Sequence, residues 1–224
     1  MPTNAAKNLH GKTVLITGAS SGIGRSCAFE FAHTSPQSIK LILTARRADR
    51  LHDISKQITS ELGDGVKIHA VRLDVSEPDE VSRFWQDLPE DFKSVDVLVN
   101  NAGFMSGYER APEIPNQVIE DVWATNVTGL IQMTQEFLKI AKGRSESGKG
   151  DVIMLGSIAG REAYPGGSIY CASKAAVRAF TEALRKELID TRIRVITVDP
   201  GQVLTEFTVI RNKGDKASAD KVYE

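Results

Sequence analysis

A glycine-rich turn near the start of the chain joins a short apolar segment to a helical pattern. Residues 12–17 are rich in β-branched and apolar side chains, which predicts a short, buried parallel strand. Apolar residues at helical spacing follow the turn and continue through Ala28 and Ala32. A strand, a glycine turn and a helix in this order let backbone amides approach a pyrophosphate at the helix N-terminus. The predicted phosphate contacts in the turn are Gly18, Ser20, Ser21, Gly22, Ile23 and Gly24.

Further apolar segments alternate with helical patterns along the chain. The predicted strands lie at residues 40–44, 66–73, 95–99, 152–155 and 193–198. Strands that alternate with helices imply right-handed crossovers and a parallel sheet with helices on both faces. The sequence therefore predicts an α/β fold, a doubly wound parallel sheet of the Rossmann type, as a single domain over residues 1–224.

Two arginines, Arg46 and Arg47, follow the second predicted strand. A dinucleotide site that takes NAD usually presents an Asp or Glu here to the ribose hydroxyls. An acidic group would repel the 2′-phosphate of NADP, whereas guanidinium groups bind it through charge-assisted hydrogen bonds. The missing acid favours NADP as the cofactor. The alternative is that both arginines are solvated residues at the start of the next helix.

Tyr170 and Lys174 are four residues apart in a helical pattern, with Ser157 upstream of them. The spacing places the tyrosine and the lysine on the same helix face. An ammonium beside a phenol favours the phenolate, so Lys174 is expected to lower the pKa of Tyr170 towards neutrality. A tyrosine with such a pKa can exchange a proton with an alcohol or carbonyl oxygen. The same spacing also occurs in ordinary surface pairs, and the predicted cofactor site is what favours catalysis.

Five separated motifs lie in register along the chain. They are Thr17-Gly18-x-x-x-Gly22-Ile23-Gly24, Asn100-Asn101-Ala102-Gly103, Ser157, Tyr170-x-x-x-Lys174 and Pro200-Gly201. In order and approximate spacing the sequence resembles the short-chain dehydrogenase/reductase family over nearly its whole length. Residues 155–161 and 168–174 are also similar to the branch of fungal NADP-dependent 3-hydroxy acid dehydrogenases, which are related to serine and allo-threonine dehydrogenases.

The resemblance implies an enzyme that transfers a hydride between NADP(H) and a secondary alcohol or carbonyl. In this branch the substrate is a 3-hydroxy acid such as serine, allo-threonine or 3-hydroxyisobutyrate. The implied catalytic residues are Ser157, Tyr170, Lys174 and Asn126. Ser157 would hydrogen-bond the substrate oxygen, Lys174 would also hold the nicotinamide ribose, and Asn126 would position a water between Lys174 and solvent. The alternative for Asn126 is a mid-helix side chain that faces water.

The family pattern also implies further contacts with the cofactor, at the carboxyl ends of the later strands. These are Asp74, Val75, Asn101, Ala102, Gly103, Pro200, Gly201, Val203 and Thr205, together with Tyr170 and Lys174. Asp74 would bind the adenine amino group, or it is a turn or helix-capping residue. Asn101 would lie beside the cofactor, or it holds the centre of the sheet through bonds to backbone. Pro200 and Gly201 would bind the carboxamide with Thr205, or they form a simple turn.

A 3-hydroxy acid needs a cation for its carboxylate. Arg211 lies in the segment after Thr205 that is expected to fold over the site, so it is predicted to bind substrate beside Ser157 and Tyr170. The alternative is a solvated loop arginine. Further candidates for lining the pocket are Arg161, Glu162, Tyr164, Phe104, Met105 and Tyr108. Two other functions stay open, a reductase of neutral ketones in the same family and a catalytically silent NADP-binding regulator.

Composition argues against several classes of partner. The net charge of −1 gives no electrostatic support for binding nucleic acid or a membrane surface. No apolar run is long enough to span a bilayer. The two cysteines, Cys27 and Cys171, lack metal-ligand spacing. The sequence therefore predicts no metal site, and reduced thiols in the cytoplasm.

The sequence stops soon after a polar segment that begins at Lys213. Members of the family that the chain resembles continue into a further helix and a seventh strand at the sheet edge. We therefore expect a C-terminally truncated chain, without that strand, or an oligomer that differs from the usual tetramer. The predicted helices at 116–141 and 168–190 are expected to form the interface of a homodimer or homotetramer, with small residues at Ala172, Ala175, Ala176 and Ala179.

Overall fold

The computed structural model describes residues 3–144 and 147–223, in which six parallel strands form one sheet. The strands are β1 (Thr13–Thr17), β2 (Lys40–Ala45), β3 (Lys67–Arg72), β4 (Val97–Asn100), β5 (Lys149–Leu155) and β6 (Arg192–Val198). Their order across the sheet is β3-β2-β1-β4-β5-β6, and every neighbouring pair is parallel. The predicted doubly wound parallel sheet is confirmed.

Helices pack on both faces of this sheet. The helices in the described residues are α1 (Asn4–Leu9), α2 (Gly22–Thr34), α3 (Ala48–Leu62), α4 (Pro78–Gln86), α5 (Asn116–Trp123), α6 (Leu130–Lys142), α7 (Ser168–Glu187), α8 (Glu206–Arg211) and α9 (Lys216–Asp220). One apolar core joins strand residues to α4, α6 and α7, and a second core joins the opposite face to α2 and α3. Because both faces are covered, every residue of β1 and β4 is buried.

The helix predicted at 116–141 is interrupted. Residues Ala124–Gly129 form a π-helical segment between α5 and α6. At the end of this segment Gly129 comes so close to the loop after β3 that a Cβ there would be 2.3 Å from the carbonyl oxygen of Val75. An inserted residue in one helical turn barely disturbs the apolar pattern, so periodicity did not reveal it.

Two other boundaries differ from the sequence-based expectation. β5 begins at Lys149, before the predicted start at residue 152, because Lys149 and Gly150 pair with Arg192 and Ile193 of β6. These polar and glycine residues carry no apolar signal of their own. α7 ends at Glu187, and Leu188 caps it.

The sheet places a crevice beside the β1–β4 pair. β2 and β3 lie on one side of this pair and β5 and β6 on the other, so the connections after β1 and β4 run in opposite directions. Ligands of open α/β sheets bind at the carboxyl ends of the strands at such a point. Within residues 3–144 and 147–223 no strand follows β6, which forms one edge of the sheet. No helix in the described ranges combines the length and apolar character needed to cross a membrane.

Candidate active site

The glycine turn lies tightly against the end of β4. Gly18 has a φ of 66°, and a Cβ on it would be 2.9 Å from the Cα of Ala102. A Cβ on Gly24 would be 2.5 Å from the carbonyl oxygen of Gly18. The Asn101 side chain donates to the carbonyl oxygens of Thr17 at 2.8 Å and Gly18 at 3.2 Å. Asn101 therefore holds the turn against β4, which is the backbone-binding role considered for it from the sequence.

Arg47 closes the other side of this turn. Its guanidinium donates to the Ser20 hydroxyl from two nitrogens, at 3.3 and 3.0 Å, and to the Ser21 hydroxyl at 2.9 Å. Arg46 is exposed, with its guanidinium carbon 5.8 Å from the centre of the Phe104 ring. The two arginines thus differ: Arg47 is fixed to the glycine turn, whereas Arg46 extends along the rim.

Ser157, Tyr170 and Lys174 converge at the carboxyl end of β5. Ser157 follows β5 and caps a short 3₁₀ turn, where its hydroxyl accepts from the backbone of Ala159 at 3.1 Å. Tyr170 and Lys174 lie one turn apart on α7. The Lys174 ammonium is buried and donates to the carbonyl oxygen of Leu155 at 2.7 Å. Burial lowers the pKa of Lys174 from 10.5 to about 8.

The pKa of Tyr170 differs from the sequence-based expectation. Desolvation of the phenol raises its pKa above the usual value, while the Ser157 hydroxyl and, more weakly, the Arg211 charge act in the opposite direction. The Lys174 nitrogen lies 5.8 Å from the centre of the Tyr170 ring. At this distance the ammonium does not outweigh the desolvation of the phenol. Tyr170 is therefore a protonated acid at neutral pH.

Asn126 lies in the π-helical segment and is 1% exposed. Its amide accepts from the backbone nitrogen of Phe104 at 2.9 Å and donates to the Phe104 carbonyl oxygen at 2.9 Å and to the Ser173 hydroxyl at 3.2 Å. A Cβ on Gly103 would be 3.2 Å from the Asn126 oxygen and 3.6 Å from the Lys174 nitrogen. The alternative of a solvent-facing Asn126 is wrong, since the side chain is buried where the loop after β4 meets α7.

Arg211 is buried, which contradicts the alternative of a solvated loop residue. Its guanidinium donates to the carbonyl oxygens of Gly107 and Gly166, at 3.2 and 2.7 Å, and to the Tyr164 hydroxyl at 2.6 Å. It also lies 4.0 Å from the centre of the Tyr108 ring. No Asp or Glu in the described part of the chain forms an ion pair with it. Arg211 therefore joins three segments at the site and carries an uncompensated positive charge.

Asp74 and Thr205 both take local structural roles. A carboxylate oxygen of Asp74 accepts from the backbone nitrogen and the hydroxyl of Ser76, at 3.1 and 2.6 Å, which is the turn role considered from the sequence. The Thr205 hydroxyl accepts from the backbone of Phe207 at 3.2 Å and begins α8. A Cβ on Gly22 would be 3.1 Å from the Thr205 Cβ, so α8 starts directly over the glycine turn.

One cavity of about 670 Å³ joins these groups. The residues predicted from the sequence that line it are Gly18, Ser20, Ser21, Gly22, Ile23, Arg46, Arg47, Asp74, Val75, Asn101, Ala102, Gly103, Phe104, Tyr108, Ser157, Tyr164, Tyr170, Lys174, Pro200, Gly201, Val203, Thr205 and Arg211. Gly24 and Asn126 lie behind the wall, and Met105, Arg161 and Glu162 do not line it either. The binding and catalytic roles of all these residues, inside and outside the cavity wall, stay predictions.

Comparisons with known proteins agree with this architecture. The family model described as short chain dehydrogenase matches residues 12–216. The chain belongs to the short-chain dehydrogenases. The NADP-dependent 3-hydroxy acid dehydrogenase of Schizosaccharomyces pombe is 47% identical to this dehydrogenase over 216 residues, which are 96% of this chain and 81% of the relative.

Two further similar proteins have names that include a small substrate molecule. Sulfoacetaldehyde reductase 2 of Chromohalobacter salexigens is 40% identical over 211 residues, 94% of this chain and 80% of the relative. Among solved structures, the closed form of serine dehydrogenase complexed with NADP⁺ has a TM-score of 0.84 and 37% identity, and the match covers 95% of this chain and 81% of that chain.

Sequence reasoning missed several residues at the site of this dehydrogenase. Phe207 lies with its ring centre 5.3 Å from that of Tyr170, and Thr208 and Ile210 also line the cavity. All three belong to α8, which is only six residues long, too short for a periodicity signal. Glu206, the first residue of α8, forms ion pairs with Arg47 and Arg50. In the described residues no group of three or more His, Cys, Asp or Glu side chains could hold a metal ion.

Proposed function

We propose that this dehydrogenase interconverts a 3-hydroxy acid and the corresponding 3-oxo acid with NADP(H) as the cofactor. The observation that carries the proposal is one cavity with a glycine-rich turn, of the kind that binds phosphate, at one end and, at the other, the buried cation of Arg211, which forms no ion pair within the described residues. Ser157, Tyr170 and Lys174 lie between them. The names of the relatives, two of which act on hydroxy acids, support the same class of substrate.

The residues of the cavity fit NADP. Gly18, Ser20, Ser21 and Gly22 of the turn line the cavity at the N-terminus of α2, where backbone amides can approach a pyrophosphate. Arg47 and the hydroxyls of Ser20 and Ser21 form a cluster of donors suited to a 2′-phosphate. Asp74 and Val75 line the cavity where an adenine would lie, and Pro200, Gly201, Val203 and Thr205 line the part near Ser157.

When bound, NADP(H) would supply the acceptor for a hydride from the alcohol carbon, or the donor of a hydride to the carbonyl carbon. Tyr170 donates its phenol proton to the carbonyl oxygen during reduction, and its raised pKa keeps that proton in place at neutral pH. Ser157 donates a hydrogen bond to the same oxygen and stabilises charge that develops on it. Lys174 would position the ribose, and its hydrogen bond to the Leu155 carbonyl oxygen holds the ammonium at the carboxyl end of β5.

Arg211 is the proposed receptor for the substrate carboxylate. A guanidinium has five N–H donors, and three protein acceptors engage it here, so donors remain for a ligand. Its charge acts on the Tyr170 phenol, which places it within electrostatic reach of the reacting oxygen. A buried cation of this kind favours an anionic substrate over a neutral one because the anion compensates its charge.

The test compares a 3-hydroxy acid with its methyl ester in the same protein. Arg211→Met is expected to lower kcat/KM for the acid roughly 10- to 100-fold relative to the ester, because hydrogen bonds to a charged group are lost. NADPH absorbance follows both reactions. Dividing kcat/KM for the acid by kcat/KM for the ester within one variant removes the effect of any loosening of the loops that Arg211 joins, because such loosening affects both substrates.

Arg161→Ala is the matched control, since Arg161 is an exposed arginine that pairs with Asp199 outside the cavity. It should change the two rates equally. An equal loss for acid and ester in Arg211→Met would contradict the carboxylate role and favour a reductase of neutral ketones. Absence of turnover with every alcohol and ketone, despite NADP binding, would favour a silent NADP-binding regulator.

We also propose that the chain forms a homodimer or homotetramer through the helical segments at 116–141 and 168–190, and that it acts in the cytoplasm. Trp123 of α5 is 42% exposed, and Ala172 and Ala179 of α7 are exposed as well, so these helices offer an apolar and small-residue surface. A cytoplasmic location would keep the thiols of Cys27 and Cys171 reduced.

A further inference from the structure

Glu206 links the start of α8 to the proposed phosphate end of the cavity. One of its carboxylate oxygens accepts from Arg47 at 2.9 Å, and the other pairs with Arg50. Arg47 uses its remaining nitrogens on the hydroxyls of Ser20 and Ser21 in the glycine turn. A carboxylate from a distant part of the chain therefore accepts from the same donor cluster that is proposed to hold the 2′-phosphate.

The carboxylate of Glu206 is ionised. Partial burial tends to raise its pKa, but the hydrogen bonds from Arg47 and Arg50 prevail and hold the pKa below its usual value. The side chains of Glu206 and Arg47 are 41% and 38% exposed. Water and salt screen a pair of this exposure, so the contact can open when a stronger anion arrives.

Carboxylate and phosphate compete for the same kind of donor. A guanidinium binds either anion through its planar fork of N–H groups, and a phosphate carries more charge and more acceptor oxygens. With Ser20 and Ser21 already engaged, the Nη1 group that Arg47 gives to Glu206 is the one available to a further anion. A phosphate placed there would also lie against the Glu206 carboxylate, and the two negative charges would repel each other.

We propose that Glu206 is a built-in competitor for the 2′-phosphate of NADP: its carboxylate occupies Arg47 in the cofactor-free protein and gives way when the phosphate binds. The proposal rests on the NADP preference stated above. It predicts that wild-type affinity for NADP is lower than the arginine cluster alone would provide. NAD carries no 2′-phosphate, so its affinity should not depend on Glu206.

The test measures dissociation constants for NADP and NAD by calorimetry, without turnover. Glu206→Gln keeps the size of the side chain and one acceptor oxygen but removes its charge. It should lower the Kd for NADP roughly two- to fivefold, the effect of removing an exposed ion pair, and leave the Kd for NAD nearly unchanged. Glu206→Ala should shift the NADP affinity in the same direction and serves if Glu206→Gln folds poorly.

Asp49→Asn is the matched control. Asp49 is an exposed acid in the first turn of α3, between Arg47 and Arg50 in sequence. Asp49→Asn removes one negative charge near the cluster, as Glu206→Gln does, but it does not release Arg47. The Kd for NADP should therefore change less than about twofold. An equal gain in Asp49→Asn, an equal gain for NAD, or no gain for NADP in Glu206→Gln would each overturn the proposal. If wild type instead binds NAD as well as NADP, the NADP preference itself is wrong.

Discussion

At the scale of single residues, Lys174 is a cation whose charged form is disfavoured by burial in the site. Its ammonium is buried, and its pKa is lowered to about 8 from 10.5 because desolvation disfavours the charged form. Between these two pKa values the unfolded chain binds more protons than the folded chain. The free energy of unfolding should therefore rise as the pH rises through this window, and the penalty should be fully present below pH 8.

The prediction is measured by denaturant unfolding of the cofactor-free protein. Wild type should gain about 2 kcal/mol in its free energy of unfolding, relative to Lys174→Met, between about pH 7 and pH 9.5. The exposed Lys56 supplies the control, since Lys56→Met should retain the wild-type pH dependence. Parallel pH profiles for wild type and Lys174→Met would mean that Lys174 is not desolvated in solution.

Site residues were predictable from the sequence where they belong to a motif whose residue types and spacing indicate a chemical role. Ser157, Tyr170 and Lys174 were singled out by type and spacing, and the structure brings them into one cavity. The direction of the Tyr170 pKa was not predictable, because it depends on how far the phenol is desolvated in the folded chain. The pairing of Glu206 with Arg47 was equally hidden, since nothing local in the sequence relates α8 to the end of β2.

At the scale of secondary-structure elements, the π-helical segment Ala124–Gly129 brings Asn126 to the back of the site. Gly129 allows this by its close approach to Val75, a residue that lines the cavity. Gly129→Ala should reduce the free energy of unfolding by about 1 to 3 kcal/mol, because the added Cβ would overlap the Val75 carbonyl oxygen. For a chain of this size that corresponds to a fall in Tm of roughly 3 to 10 °C, measured by calorimetry.

Gly143 provides the matched control, because it ends α6 with a φ of −74° and a Cβ there would meet nothing closer than 3.6 Å. Gly143→Ala should leave the Tm unchanged or raise it slightly, since alanine has the higher helix propensity. A fall in Tm for Gly143→Ala as large as that for Gly129→Ala would show that the contact with Val75 is not the cause.

Helices and strands with strong apolar periodicity were predicted well, whereas those fixed by distant contacts were not. β1 and β2 appear at nearly the predicted positions because their apolar runs are buried on both faces. The start of β5 at Lys149 depends on pairing with β6, which the local sequence does not encode. α8 depends on one threonine cap and on contacts of Arg211 with loops that are distant in sequence.

At the scale of the whole molecule, the strand order explains why motifs spread over most of the chain meet in one place. The glycine turn follows β1, Asn101 to Gly103 follow β4, Ser157 follows β5 and Pro200 follows β6. Because all six strands are parallel, these carboxyl ends share one edge of the sheet. Alternation of strands and helices predicted this arrangement. It does not predict which exposed helix faces meet in an assembly, since that depends on surface shape.

The proposed interface makes a prediction at this scale. Ala179 is an exposed small residue of α7, and α7 packs against α5, so a second copy docked on these helices would approach it closely. Ala179→Arg should convert the oligomer to monomer in light scattering, because a long charged side chain would be buried without a partner. The monomer itself should stay folded, since arginine is a good helix former at an exposed position.

Lys56→Glu on the exposed face of α3 should leave the oligomer intact. An unchanged mass for Ala179→Arg would place the interface elsewhere.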